Sequence, residues 1–133
     1  MVIGGSAGGI FTAITSRKIY KDKIVLLVRK TGTGVVPGGV PYVFGTLLDT
    51  LKNRIPDAMI TDAGVNLMIG EVVRINKENK TVSLRNGEDI AYDKLVLAVG
   101  SNPVIPKSIQ GYDLGNVFPI ARDEVYLRIF LRS

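Results

Sequence analysis

The chain has 133 residues, of which 46% are hydrophobic and 22% charged, and its formal net charge is +5. This length and composition are typical of one globular domain with its own core. The sequence contains neither cysteine nor histidine. Disulfides, thiolate nucleophiles, a Ser-His-Asp triad and the common zinc ligand sets are therefore excluded.

The first 28 residues predict a strand, a glycine-rich turn, a helix and a second strand. Met1–Ile3 is a short apolar strand, apolar residues at helical spacing run from Gly8 to about Tyr20, and Lys23–Val28 is typical of a buried parallel strand. Glycines in such a turn let backbone N–H groups approach a pyrophosphate, and the helix N-terminus adds partial positive charge. The segment therefore predicts a dinucleotide-binding βαβ unit.

The glycine turn matches the G-x-G-x-x-G fingerprint in part. Gly4 and Gly9 take its first and third positions, whereas Ser6 replaces the middle glycine, where the backbone comes closest to the pyrophosphate. Serine is small and its hydroxyl can bond a phosphate, so the predicted site is retained. Gly5, Ala7 and Gly8 complete it.

The end of the second strand lacks the carboxylate that binds an adenosine ribose in such folds. Arg29 and Lys30 stand there instead. Two interpretations stay open. In the first, Arg29 pairs with a ribose 2′-phosphate, as in NADP sites. In the second, no carboxylate binds the ribose, and the contact is either absent or made by the backbone and the stem of the arginine.

The middle of the chain predicts a loop and then two helices. Residues 29–45 hold five glycines and two prolines, which argues against any regular element beyond a short turn. Helices are expected over Thr46–Asn53 and Asp57–Ala63, with Asp57 as a helix-start residue. A third parallel strand is expected at Asn66–Ile69.

Three short alternating segments then predict an antiparallel meander, with a hairpin at Asn86-Gly87. They are Glu71–Asn76, Thr81–Arg85 and Asp89–Tyr92, and Glu71 is expected to be solvated. Lys94–Val99 returns to a core strand, residues 101–116 form a loop, and Arg122–Arg132 is a last amphipathic helix.

Three segments in order carry a family resemblance: the turn at Val2–Gly9, Gly38-Gly-Val-Pro-Tyr42, and Tyr92–Pro103 with its Leu-Ala-Val-Gly-Ser core. The chain resembles the N-terminal FAD-binding segment of the pyridine nucleotide–disulfide oxidoreductases, and is most similar to the coenzyme A disulfide reductase and NADH oxidase branch. The resemblance implies a three-layer Rossmann-like α/β fold. A parallel sheet would carry helices on one face and a small antiparallel meander on the other.

The resemblance also implies FAD, with its pyrophosphate at Gly4–Gly9. It puts the flavin beside a turn formed by Ala98, Val99 and Gly100, and the adenine beside the backbone of Val72. Arg29 and Lys30 fall where the family has Glu and a basic residue. Pro41 falls on the loop near the isoalloxazine.

The chain departs from the family pattern in its chemistry and its extent. Gly38 stands where that branch has its redox cysteine, so no catalytic residue is predicted. Because the chain has neither cysteine nor histidine, no metal ligand is predicted either. Residues 1–133 read as an incomplete FAD-binding domain, lacking the NAD(P)H domain and the later FAD-domain segment. Exposed apolar surface of such a domain is expected to be covered in a dimer or by a second chain.

The resulting hypothesis is the FAD-binding portion of an NAD(P)H-dependent flavin oxidoreductase, with NAD(P)H as co-substrate only in a complete assembly. The alternatives are a non-catalytic remnant or interaction module that keeps the fold without cofactor, and a simple NADP-binding domain using Arg29. Basic residues at 17–23 are interspersed with acidic ones and carry no aromatic stacking pattern, and no apolar run reaches the roughly 18 residues of a membrane helix. We therefore expect a cytoplasmic protein with no nucleic-acid or membrane partner.

Overall fold

A parallel four-stranded sheet forms the centre of the computed structural model, which describes residues 1–131. In chain order the strands are β1 (Val2–Ile3), β2 (Leu26–Arg29), β3 (Gly34–Val35), β4 (Arg54–Ile55), β5 (Asn66–Ile69), β6 (Val72–Asn76), β7 (Thr81–Leu84), β8 (Asp89–Ala91) and β9 (Val96–Leu97). The helices are α1 (Ala7–Ile19), α2 (Val40–Tyr42), α3 (Ala58–Thr61) and α4 (Glu124–Phe130).

The parallel sheet has the spatial order β5–β2–β1–β9. Val2 of β1 pairs with Leu27 of β2 on one side and with Val96 of β9 on the other. Helix α1 packs its buried Ile10 and Ala13 into the same core as Val2 and Leu27. The predicted βαβ unit is confirmed, and its helix begins one residue earlier than the sequence predicts.

The predicted antiparallel meander is also confirmed. Strands β6, β7 and β8 form a separate three-stranded sheet in which Thr81 of the central strand pairs with Asn76 and with Ala91. The turn between β7 and β8 contains Gly87 at a φ of 91°, a left-handed conformation that glycine adopts without strain. The α/β fold class predicted from the sequence is therefore correct.

The prediction of a helix over Thr46–Asn53 is wrong. A wide helical turn at Val43–Leu47 is followed by a separate 3₁₀ turn at Thr50–Asn53. Leu48 lies between them with a φ of 52°, so the backbone leaves the right-handed helical region there. The preceding segment is also more ordered than the sequence predicts, because β3 pairs with β4 and residues 37–42 form short helical turns.

Other elements are shorter than predicted. Helix α3 covers four residues inside Asp57–Ala63 and ends before Gly64, whose φ is 75°. The strand predicted at Lys94–Val99 is reduced to two residues. The last helix begins after Asp123, whose carboxylate accepts a hydrogen bond from the Tyr126 N–H at 3.0 Å. Its predicted last residue, Arg132, lies outside the described part of the chain.

A buried carboxylate attaches α4 to the rest of the molecule. Glu124, whose side chain is 7% exposed, accepts hydrogen bonds from Arg54 at 2.7 and 2.8 Å, from the Thr33 hydroxyl at 2.8 Å and from Arg128. These charge-assisted bonds keep the pKa of Glu124 at about 2, below its ordinary value of 4.5, with Arg54 as the main cause. They connect residues far apart in the chain.

The glycine turn yields a matched pair of substitutions. A Cβ at Gly9 would lie 1.8 Å from the carbonyl oxygen of Gly4, whereas one at exposed Gly8 would meet no atom within 4 Å. We expect Gly9→Ala to reduce the free energy of unfolding by about 3 kcal/mol or more. Gly8→Ala should change it by less than about 1 kcal/mol. Urea unfolding measures both, and equal effects of the two variants would contradict the close crossing of α1 and β1.

A second expectation concerns the pH dependence of stability. Because the native pKa of Glu124 lies below its unfolded value, the unfolded state binds more protons between about pH 2 and 4.5. The stabilisation is therefore complete above that window and is lost as the pH falls through it. Glu124→Gln should lower the free energy of unfolding by about 1–3 kcal/mol near neutral pH.

The difference between wild type and Glu124→Gln should then shrink as the pH falls from about 4.5 toward 2. Urea unfolding at several pH values measures it, and Glu78→Gln, a substitution at an exposed glutamate, is the control. A difference that does not change with pH would contradict the role given to the Glu124 carboxylate.

Candidate functional site

A cavity of about 460 Å³ lies at the carboxyl ends of the parallel strands. In the sheet, β2 and then β5 lie on one side of β1, whereas β9 lies on its other side, so the strand order reverses at β1. Crevices at such a reversal of strand order are the usual ligand sites of open α/β sheets. Nine of the predicted site residues line this cavity: Gly4, Gly5, Ser6, Arg29, Lys30, Val72, Ala98, Val99 and Gly100.

The remaining four predicted residues do not line it. Gly9 is buried under Gly4, and Ala7 and Gly8 begin helix α1. Pro41 is exposed in α2. At Gly38, in the preceding turn, an added Cβ would meet nothing within 4 Å. The fold therefore has room for a side chain at the position that corresponds to the redox cysteine.

The glycine turn brings β1 against the end of β9. Gly4 has a φ of 128°, and a Cβ there would lie 2.1 Å from the carbonyl oxygen of Ala98. The Gly4 N–H donates to the carbonyl of Val28, and the Ala98 N–H donates to that of Ile3, both at 2.8 Å. These contacts place two backbone turns, one after β1 and one after β9, side by side in the cavity wall.

The N-terminus of α1 provides hydrogen-bond donors beside this wall. The first intrahelical bond runs from the Ile10 N–H to the Ser6 carbonyl at 3.0 Å, so the amides of Ala7, Gly8 and Gly9 precede the helical ladder. The hydroxyl of Ser6 donates to the carbonyl of Val35 at 3.4 Å and makes no cap bond. The first turn contains no acidic residue. Amide donors and a small hydroxyl at the positive end of a helix suit a phosphate group.

The guanidinium of Arg29 is held by acceptors within the protein. The residue is 2% exposed, and its guanidinium donates to Asp57 Oδ1 and Oδ2, both at 2.7 Å, to the carbonyl of Thr31 at 2.9 Å and to that of Gly32. Four of its five N–H donors thus have acceptors within the protein. The geometry favours the interpretation in which Arg29 does not bind a 2′-phosphate.

The Arg29 contacts also correct the expectation for Asp57. Asp57 precedes α3, as predicted for a helix-start residue, but its carboxylate makes no cap bond and pairs with Arg29 instead. Gly5 permits this arrangement, because a Cβ at residue 5 would lie 2.5 Å from Cβ and Cδ of Arg29.

Glu71 is not the freely solvated residue expected from the sequence. Its carboxylate pairs with Lys30 Nζ at 3.2 Å and with Arg85 Nε at 2.5 Å. The hydrogen bond from Arg85, followed by that from Lys30, lowers the pKa of Glu71 to about 2. Strand pairing in the meander brings Arg85 there, since the Arg85 N–H also donates to the Glu71 carbonyl at 2.8 Å. Glu71 and Lys30 both line the cavity.

Several further cavity residues lie in loops where the sequence carries no motif. They belong to the turn after β2 and the segment before α4: Thr31, Thr33, Ala121, Arg122 and Asp123. Long-range contacts bring them together. The bond from the Thr33 hydroxyl to Glu124 is an example, and no local spacing in the sequence signals it.

A second concavity of about 500 Å³ lies on the outer surface of α1. It is open, and its walls consist of α1 residues and Tyr20 with no charged side chain among them. The cavity at the strand ends is the better candidate, because it combines backbone donors with charged groups. Within residues 1–131, no group of three or more acidic side chains could hold a metal ion, and no helix is long and apolar enough to cross a membrane.

Comparison with known proteins supports a relationship along most of the chain. The family described as pyridine nucleotide-disulphide oxidoreductase matches residues 1–128. An NADH oxidase of Methanocaldococcus jannaschii is 30% identical over 130 residues, which is 90% of this chain and 29% of that protein. A rubredoxin-NAD(+) reductase of Pseudomonas putida is 28% identical over 77% of this chain and 28% of its own length. The chain spans less than a third of these relatives.

Solved structures agree with this relationship. Reduced CoADR-RHD of Bacillus anthracis superposes with a TM-score of 0.77 at 26% identity, covering 99% of this chain and 26% of that one. A sulfide:quinone oxidoreductase of Aquifex aeolicus, at 22% identity and a TM-score of 0.77 over 98% of this chain and 30% of its own, supports the fold alone. From the match over residues 1–128, the chain belongs to the pyridine nucleotide-disulphide oxidoreductase family.

Proposed function

We propose that this chain is the FAD-binding portion of an NAD(P)H-dependent flavin oxidoreductase. The observation that carries the proposal is the cavity at the reversal of strand order. There the glycine turn, which includes the N-cap residue Ser6 of α1, meets the turn after β9. The family membership supports a flavin oxidoreductase origin.

The residues of the turn would hold the pyrophosphate of FAD. The amides of Ala7, Gly8 and Gly9 are donors without competing acidic groups in the first helical turn. The hydroxyl of Ser6 would join them by exchanging its long bond to the carbonyl of Val35, at 3.4 Å, for a phosphate oxygen. Gly4 and Gly5 let the backbone of the turn lie against Ala98 and Arg29 without intervening side chains. A negatively charged ligand is favoured there by the helix dipole as well as by hydrogen bonds.

Other residues would orient the two ends of the cofactor. The backbone of Val72, in the cavity wall, would meet the adenine. The turn at Ala98, Val99 and Gly100 would contact the flavin. Pro41, in α2 outside the cavity wall, would lie near the isoalloxazine as the family resemblance implies. Gly100 has a φ of 73°, which a side chain at that position would strain. When bound, FAD supplies the hydride-accepting chemistry.

The protein's own contribution is binding and orientation. The sequence provides no cysteine and no histidine, so a thiol cannot relay electrons and an imidazole cannot move a proton. NAD(P)H is a co-substrate in the proposal only where a nicotinamide site is supplied in a complete assembly.

We also propose that a second copy of the chain covers the open edge of the parallel sheet. β9 is an edge strand of that sheet, and its Val96 and Leu97 are 40% and 58% exposed. Apolar residues on an open strand edge favour association. Sedimentation velocity should show a dimer, and a purely monomeric protein at micromolar concentration would contradict this part of the proposal.

The cofactor proposal is tested by flavin binding to the purified chain. We expect the protein either to be yellow and release FAD on denaturation, or to be stabilised thermally by added FAD. At a free FAD concentration of about 100 times Kd the free energy of unfolding should rise by about 2.7 kcal/mol. A colourless protein that FAD neither binds nor stabilises would contradict the proposal, and stabilisation by NADPH alone would favour an NADP-binding domain.

A pair of charge substitutions locates the binding site. Ser6→Glu puts a carboxylate at the N-terminus of α1, and we expect it to weaken FAD binding by about tenfold or more through repulsion of the phosphates. Thr15→Glu adds the same charge at an exposed position further along the same helix and should leave the affinity within about twofold. Equal affinities of the two variants would contradict a pyrophosphate site at the glycine turn.

A further inference from the structure

The end of β2 lacks the carboxylate that usually binds a nucleoside ribose. In dinucleotide-binding folds a carboxylate near that point accepts hydrogen bonds from the ribose hydroxyls. Here the corresponding position holds Arg29, a donor, and its guanidinium is buried against Asp57. The cavity nevertheless extends to this point, since Arg29 and Lys30 form part of its wall.

A carboxylate lies close to this position, in the connection that follows the neighbouring strand β5. β5 pairs with β2 in parallel, with Ile69 opposite Arg29, and the Gly70 N–H donates to the carbonyl of Arg29 at 2.8 Å. Glu71 follows directly, so it lies at the same edge of the sheet, one strand away. It lines the cavity together with Lys30.

The Glu71 carboxylate is fixed and has acceptor capacity left. Lys30 Nζ contacts its Oε1, and Arg85 Nε contacts its Oε2. A carboxylate has about four acceptor sites, so about two stay available to a ligand. Arg85 holds the same residue by its backbone N–H, which limits the freedom of the side chain. The cation of Lys30 offsets the negative charge that Glu71 would otherwise present to a nearby pyrophosphate.

We propose that Glu71, held by Lys30 and Arg85, is the acceptor for the ribose hydroxyls of the adenosine half of the bound dinucleotide. The proposal rests on the proposed function, because it assumes that an adenine nucleotide occupies the cavity. It assigns the recognition of the ribose to the connection between β5 and β6, while Arg29 has a structural role with Asp57.

The test compares two nucleotides that differ only in the ribose. Isothermal titration of the full chain with ADP and with 2′,3′-dideoxy-ADP gives the preference for the hydroxyl groups. We expect the wild type to bind ADP about tenfold more tightly, as hydrogen bonds to a charged acceptor predict. In Glu71→Gln that preference should fall to about twofold or less.

Matched variants separate recognition from structural effects. Glu88→Gln removes a carboxylate at an exposed turn of the same meander and should keep the wild-type preference. Glu71→Asp keeps the charge but withdraws it by one methylene, and it should also reduce the preference. It serves as the second variant should Glu71→Gln prove unfolded in its circular dichroism spectrum.

The outcomes distinguish this inference from the proposed function. If Glu71→Gln weakens both nucleotides by the same factor and leaves the preference unchanged, Glu71 acts only through the structure and the inference is overturned. A wild type that binds ADP but does not distinguish it from the dideoxy form overturns the inference as well. A wild type that binds neither ADP nor FAD contradicts the proposed function itself.

Discussion

The close approach of three backbone segments at the glycine turn is the constraint on which the rest of the structure depends. Gly4 must lie against the carbonyl of Ala98, and Gly9 must lie against the carbonyl of Gly4, at separations that exclude any Cβ. This contact sets the angle at which α1 leaves β1 and brings β9 beside β1. The same contact forms the cavity, so the packing of the fold and the geometry of the candidate site have one origin.

Charged groups position the loops around that centre. Arg29 and Asp57 connect the end of β2 to the start of α3, and Glu124 connects the last helix to Arg54 and Thr33. Both pairs join residues distant in sequence, and in each at least one partner is buried. Removing the exposed partner, Asp57 or Arg54, would leave the buried Arg29 or Glu124 with unmet hydrogen-bonding groups in a poorly hydrated place. Arg29, whose position suggests ligand binding, and Glu124, a residue type usually found in solvent, therefore both stabilise the fold.

Local patterns predict several of the strands and helices, and motifs predict part of the candidate site. The strand expected at Asn66–Ile69 has those bounds, whereas the helix expected over Thr46–Asn53 is divided by the left-handed Leu48, which apolar spacing does not reveal. The glycine turn and the Ala98–Gly100 segment both reach the cavity, because backbone geometry defines them. In contrast, nothing local shows that Arg29 is buried against Asp57, or that Arg85 fixes Glu71 at the cavity wall. Tertiary ion pairs of this kind leave no periodic signal in the sequence.

The proposed cofactor site requires that a pyrophosphate bind at the N-terminus of α1. The most direct measurement is the change in backbone amide NMR shifts of the ¹⁵N-labelled chain on titration with ADP. We expect the largest changes at the amides of Ser6, Ala7, Gly8 and Gly9, with a common dissociation constant. Changes confined to other parts of the chain, or no changes at millimolar ADP, would contradict it.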